Sequence, residues 1–212
     1  MLWIILGILV SYLIGSIPTA YIFGKVLKGV DIRKFGSGNV GATNALRVLG
    51  KGPGVAVLLL DILKGLLAVV LIGDLIIAAL PRASSDLLRM LTALSCILGH
   101  NWTIFLNFKG GKGVATTLGV LLGLSFKVAG INWVIALSIL TWILIILLAR
   151  IVSVASALTA LFLPLYMLIF RLPKLLILGA TLLSILVILR HKTNLVRVIK
   201  GQEPRLSFKK SQ

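Results

Sequence analysis

An all-α integral membrane protein with about seven transmembrane helices is the fold class that three observations predict. Apolar residues make up 59% of the 212-residue chain, and charged residues only 13%, about half the usual share of a soluble domain. The apolar residues fall in long runs, and a helix needs about 20 such residues to cross a bilayer. The net charge of +17, from 22 Lys and Arg against 5 Asp and Glu, sits mostly between those runs. Intrinsic disorder is excluded, because it requires low hydrophobicity. A soluble basic protein would suggest nucleic acid; the spacing of the charges points to a membrane instead. The single cysteine, Cys96, excludes a disulfide framework and a Cys-based metal site.

The first span, Leu2–Gly24, has no basic start, and polar motifs follow it at once, so it is read as retained and not as a signal peptide. The second, Pro53–Gly73, carries Asp61 and Lys64 three apart on one helix face. Intramembrane charges mark either function or an internal pair. Here a structural ion pair facing other helices is expected, two to three turns inside the helix and away from any ligand. Leu87–Leu106 follows, then Val114–Ala129, which Gly119, Gly123 and Lys127 interrupt. Ile131–Ala149, Val152–Phe170 and Leu175–Leu189 complete the seven.

Orientation follows the basic residues. With the N-terminus outside, the inner loops hold Lys25, Lys28, Arg33, Lys34, Arg47, Lys51, Lys109, Lys112 and Arg150. The inner tail adds Arg190, Lys192, Arg197, Lys200, Arg205, Lys209 and Lys210. The split is 16 inside to 4 outside. The C-terminus is therefore expected in the cytoplasm, which an odd number of spans satisfies. No linker and no repeat divides residues 1–212, so a single domain is expected.

The informative polar residues fall on the cytoplasmic side. The first loop reads Gly36-Ser37-Gly38-Asn39-Val40-Gly41-Ala42-Thr43-Asn44, then Arg47. Its glycines allow tight turns and close approach of backbone amides to an anion. Ser37, Asn39, Thr43 and Asn44 add hydrogen-bonding side chains, and Arg47 adds a fork suited to phosphate. Ala42–Leu49 is expected to be a short helix with its N-terminus toward the anion. A plain turn would not need four such side chains in nine positions. Gly36, Gly38 and Gly41 match G-x-G-x-x-G, with Asp61 twenty residues on. A dinucleotide fold is nevertheless rejected, because the pattern follows a membrane span and not a strand.

The second loop contains Gly99-His100-Asn101-Trp102 and then Lys109-Gly110-Gly111-Lys112-Gly113 ahead of a helix, a second anion cradle. It is not a Walker A loop: Gly113 follows Lys112 where Ser or Thr is required, and Leu106 stands where the first glycine should be. A lone interfacial His is more often structural. Beside Asn101 and the glycine-lysine loop, His100 reads as a base or a phosphate ligand. Arg150 is an ordinary interface anchor or, with Ser153, a ligand contact. The tail carries His191, Lys192, Asn194, Arg197 and Glu203, and its final Lys209 and Lys210 suit anionic lipid. Two cradles on one face imply phosphate ligands, and because the site adjoins the bilayer a lipid is a candidate for one of them. No cluster of carboxylates or histidines suggests a metal.

GSGNVGATN, GHNWTIFLNFKGGKGVAT and HKTNLVRVIKGQE, in this order and topology, resemble the motifs of the bacterial acyl-phosphate-dependent glycerol-3-phosphate acyltransferases, the PlsY family. They cover about 40 residues, and the span pattern extends the likeness along the chain. The tail has Leu195 where the family often has Ile, a mild change. The resemblance implies transfer of an acyl chain from acyl phosphate to the 1-hydroxyl of glycerol 3-phosphate. The products are 1-acyl-glycerol 3-phosphate (lysophosphatidate) and inorganic phosphate. This is the first step of membrane phospholipid synthesis, and the family uses neither acyl-CoA nor acyl carrier protein as direct donor. It also implies a multi-pass enzyme of the bacterial cytoplasmic (inner) membrane. Such an enzyme has its active site on the cytoplasmic face, uses no cofactor, and acts as a monomer with the bilayer and its two substrates as partners and no nucleic acid.

Carried over residue by residue, the resemblance assigns one phosphate to Ser37, Gly38, Asn39, Gly41, Thr43, Asn44 and Arg47. His100, Asn101 and Lys112 become catalytic, with Lys109, Gly110, Gly111 and Gly113 around the transferring acyl phosphate. Ser153, His191 and Asn194 close the acceptor site, and Glu203 orders the tail. The base is either His100 or the donor's own phosphate, with the second slightly favoured. The H-x4-D arrangement of acyl-CoA-dependent acyltransferases is absent, because Phe105 and Val196 stand five after His100 and His191. A transporter of phosphate esters is the main rival, although it would place its cations near the midplane with paired halves. A lipid-binding scaffold is the other.

Overall fold

Pro18 breaks the first apolar helix. Proline has no N–H to donate and pushes the residue before it out of helical geometry. Ile17 accordingly sits at φ −56, ψ 113, between α1 (Leu2–Ser16) and α2 (Thr19–Lys28). The carbonyls freed by this break become acceptors for other segments, as backbone at membrane depth requires. The computed structural model describes residues 1–205, in which every regular element is helical. They form two compact units, residues 1–129 and residues 130 onward. Lys209 and Lys210, read as the lipid-attracted end of the tail, lie outside the described residues.

In the first unit, α2 ends at Gly29 in the left-handed region, φ 67. The short helix α3 (Ala42–Leu49) forms where the first motif predicts one, and α4 (Lys51–Leu67) follows Gly50. A π-helical turn at Ala68–Ile72 joins α4 to α5 (Gly73–Ala79), giving 29 continuous helical residues. α6 (Ser85–Asn101) begins at the Ser84 cap, whose hydroxyl accepts the Leu87 N–H. α7 (Val114–Ser125) closes the unit.

Small residues set the packing, as is usual between membrane helices. A Cβ on Gly15 would strike the Cys96 carbonyl, and one on Gly99 the Tyr12 carbonyl, so α1 and α6 are in backbone contact. Gly65 and Gly119 do the same for α4 and α7, against Thr116 and Ile62. The second pair of contacts sets the start of α7 against the C-terminal half of α4, which Cys96 near the end of α6 also reaches through the Lys64 carbonyl.

In the second unit, α8 (Ile131–Ala149) turns through Arg150, at φ 58, into α9 (Val152–Ile169). α10 (Lys174–Arg190) packs on α9, and α11 (Lys192–Ile199) bends away from α10 by 55°. Two pairs of polar side chains join these helices. Thr141 and Tyr166 share a 2.6 Å hydrogen bond, and Trp142 Nε1 donates to Ser156 at 3.3 Å.

Each of the seven expected spans contains a helix. Among the described residues, four helical stretches are long and apolar enough to cross a bilayer: Leu2–Lys28, Lys51–Ala79, Ile131–Ala149 and Val152–Ile169. The bent pair Lys174–Arg190 and Lys192–Ile199 is a fifth if the two helices count as one span. The expected third span stops at Asn101, not Leu106. Trp102 leaves the helix at φ −131, and Thr103 caps a separate turn at Ile104–Leu106. The expected fourth span stops at Ser125, not Ala129. With 12 residues, α7 is about 18 Å long, shorter than a bilayer core.

Candidate active site

The first motif is shaped by one buried side chain. Asn44, with no exposed surface, accepts the Ser37 N–H through Oδ1 at 2.8 Å. Its Nδ2 donates to the carbonyls of Ile32 and Phe35, both at 3.1 Å. This folds residues 32–37 back onto α3, and Gly36 (φ 60) and Gly38 (φ 71) make the turns that only glycine adopts without strain. Asn44 thus braces the loop and does not face outward from it. Ser37, Asn39 and Thr43 are half-buried and Arg47 is exposed. The N-terminus of α3 carries no side-chain cap, so its first amides face the loop as donors for an anion.

The second motif is stitched to the end of α6. The Gly110 and Gly111 N–H groups donate to the carbonyls of Asn101 (3.2 Å) and His100 (2.9 Å). These two amides are therefore occupied by backbone. What this motif leaves able to donate to an anion is the N-terminus of α7 after Gly113 (φ 80), which has no side-chain cap. A Cβ on Gly111 would land on the His100 imidazole at Nε2, and one on Gly113 would lie 2.9 Å from Asn101 Oδ1. Asn101 is fully buried, and neither polar atom of its amide has a partner among the described residues. Lys112 is half-buried and Lys109 exposed.

Behind His100 lies a polar network that extends the sequence reading. Asp61 and Lys64 do pair, at 2.8 Å, with side chains 1% and 6% exposed. Asp61 Oδ1 also accepts from Thr19 at 2.7 Å and lies 3.7 Å from His100 Nδ1. Lys64 donates to the Ile17 carbonyl at the α1–α2 break, at 3.3 Å. Thr103 donates to the Ser16 carbonyl, and Tyr12 to that of Trp102 at 2.6 Å. A cleft of about 180 Å³, its open mouth included, is lined by Thr19, Val40, Lys64, His100, Thr103, Gly110 and Gly111, among others. The pair expected to face other helices does so, and one of those it faces, α6, brings the His100 end of the glycine-lysine motif within reach. Only its charge inside a membrane span signalled this in the sequence.

In the second unit, Glu203 gathers the third motif. Its Oε1 accepts from Asn194 (2.6 Å) and Ser153 (2.9 Å), and its Oε2 from Arg197 (2.8 Å). Burial pushes this carboxyl up, but the hydrogen bonds from Asn194, Arg197 and Ser153 outweigh it and hold the group below its usual range. Arg197 was not among the expected site residues; its spacing from Glu203 carries no motif signal. His191 Nδ1 lies 2.7 Å from the Val187 carbonyl. A carbonyl only accepts, so Nδ1 carries the proton. Arg150 is exposed at its turn.

Comparison with known proteins fits this geometry. The model of the family described as glycerol-3-phosphate acyltransferase matches residues 5–201. A glycerol-3-phosphate acyltransferase of Rippkaea orientalis is 45% identical over 216 residues, covering 99% of this chain and 96% of its own. One from Prochlorococcus marinus (strain NATL2A) is 43% identical, covering 92% of this chain and 94% of its own. The crystal structure of PlsY (YgiH), an integral membrane glycerol 3-phosphate acyltransferase in its glycerol 3-phosphate form, superposes with a TM-score of 0.84 at 37% identity. It covers 96% of both chains. Its lysophosphatidic acid form gives 0.82. By sequence along nearly its whole length and by fold, this chain belongs to the glycerol-3-phosphate acyltransferase family of PlsY type.

Proposed function

We propose that the protein transfers an acyl chain from acyl phosphate to the 1-hydroxyl of sn-glycerol 3-phosphate, giving lysophosphatidate and inorganic phosphate. It does so as a single domain on the cytoplasmic face of a bacterial inner membrane, as the basic loops support. The observation that carries the reading is the pair of uncapped helix N-termini, α3 and α7, each entered through a glycine turn, with His100 beside the second.

Acyl phosphate is an activated mixed anhydride, so the enzyme's main task is to bring two anions together. Fixed amide dipoles and cations do this by proximity and charge stabilisation. The hydroxyl oxygen attacks the acyl carbonyl, the bond from carbonyl carbon to phosphate oxygen breaks, and inorganic phosphate leaves. The hydroxyl proton passes to His100 Nε2 or to the departing phosphate. Ser37, Gly38, Asn39, Gly41, Thr43 and Arg47 hold one phosphate within the loop that Asn44 shapes. Lys109, Lys112, Asn101 and the amides that follow Gly113 hold the other, in a turn shaped by Gly110 and Gly111, and Asn101's unpartnered amide gains bonds when that phosphate enters. Ser153 and Asn194, both held by Glu203, serve the acceptor together with His191. The acyl chain stays among the apolar helices.

Reconstitution in liposomes tests this. External glycerol 3-phosphate and acyl phosphate should yield lysophosphatidate, with no labelled glycerol 3-phosphate appearing inside. Accumulation inside without product would replace the enzyme with a transporter.

A further inference from the structure

We propose that Asp61 is a positioning residue of the acyl-transfer site: it holds the His100 imidazole with Nδ1 protonated and Nε2 turned to the Gly110–Gly111 backbone. The inference rests on the reading of His100 as a member of that site.

The ring is held from two sides. Asp61 Oδ1 is the carboxylate oxygen that faces Nδ1, at 3.7 Å, close enough for its charge to favour a proton there. On the opposite edge, Nε2 abuts Gly111, where a single added carbon would collide with the ring. A carboxylate beside Nδ1 fixes which nitrogen carries the proton, because it can only accept. Both candidate roles of Nε2, taking the hydroxyl proton or contacting a phosphate oxygen, need this same orientation.

Asp61 is itself fixed, by Thr19 at 2.7 Å and Lys64 at 2.8 Å, and Lys64 is tied to the Ile17 carbonyl. Lys64 has a second consequence. An isolated carboxylate beside a cradle for two anions would repel them; paired with Lys64 it is neutral as a unit. The chain thus supplies a His–Asp couple with its carboxylate far upstream in sequence, on α4, where no local motif would reveal it.

Nitrogen-15 spectra of the histidine-labelled protein in detergent micelles test the orientation without any acyl transfer. The chain has two histidines, and the His100→Gln spectrum identifies the signals of His191. The proton is expected on Nδ1 of His100; a bare Nδ1 with a protonated Nε2 overturns the proposal even if the enzyme is active. If the spectrum is as expected but no acyl transfer occurs, the functional reading fails and the placement stands.

The second arm replaces the buried pair by apolar residues of similar size, Asp61→Leu with Lys64→Met. Such a swap is often neutral or stabilising, whereas removing one partner strands a buried charge. The unfolding temperature should hold, His100 should become a mixture of both proton placements, and kcat should fall about 10- to 100-fold. The KM for glycerol 3-phosphate should change less than about threefold. An unchanged kcat, or an unchanged His100 spectrum, contradicts the proposal. If the double variant does not fold, the wild-type spectrum alone decides.

Discussion

Asn44 spends its whole amide on the backbone of the loop before it, and that sets what its removal does. Asn44→Ala leaves the Ser37 N–H and the Ile32 and Phe35 carbonyls without their partner. A net of about 1 kcal/mol for each bond gives a destabilisation of about 2–3 kcal/mol, read from the unfolding temperature, and weakened binding of substrate by the collapsed loop. Gly111→Ala acts differently: its methyl displaces the His100 ring. Here kcat should fall at least about 100-fold, as expected when a reacting group is misplaced by about 1 Å. A Gly111→Ala enzyme with near-normal kcat would remove His100 from the site. These glycine motifs were legible because backbone conformation restricts residue type so strongly. The Asp61–His100 approach was not, because it depends on how α4 packs against α6. Nor was the bracing role of Asn44 in the first loop, which reads like that of its neighbour Asn39 until the fold shows it buried.

Among the elements, α1 with α6 and α4 with α7 are held at backbone contact by glycines. Gly119→Ala drives a methyl into the Ile62 carbonyl. Since neither backbone can yield cheaply, a loss of about 1–3 kcal/mol is expected, and with it a misplaced Gly110–Gly113 turn. Thermal unfolding in detergent reads this loss; a Gly119→Ala protein as stable as the parent would contradict the packing described. The helices themselves were readable from apolar run length. Their ends were not, since Trp102 and Thr103 stop α6 by cap geometry while hydropathy continues to Leu106. The α1–α2 break was written in Pro18, yet the polar network that uses its carbonyls required the fold.

For the whole molecule, a large basic excess is set against few carboxylates, and two of these outside the spans are held below their usual range. Arg33, hydrogen-bonded and paired at 2.7 Å, holds Asp31 at about 2 against an ordinary 3.8. The hydrogen bonds from Asn194, Arg197 and Ser153 hold Glu203 below 4.5. A lowered folded-state value means that the stabilisation is complete above the unfolded value and is lost as pH falls through the folded one. These two groups should leave the unfolding temperature flat from about pH 5 upward and let it drop below about pH 4. The Glu203→Gln variant should show a smaller acid drop. Any inflection of activity between about pH 5 and 8 then belongs to neither of these carboxylates.

The claim on which the rest depends is that two phosphate cradles serve acyl transfer from acyl phosphate. Purified protein in detergent, offered labelled glycerol 3-phosphate with either acyl phosphate or acyl-CoA at equal concentration, tests it most directly. Lysophosphatidate formed from acyl phosphate alone, with one inorganic phosphate released per product, is the predicted result. Product from acyl-CoA instead, or no product from folded protein with either donor, would contradict it.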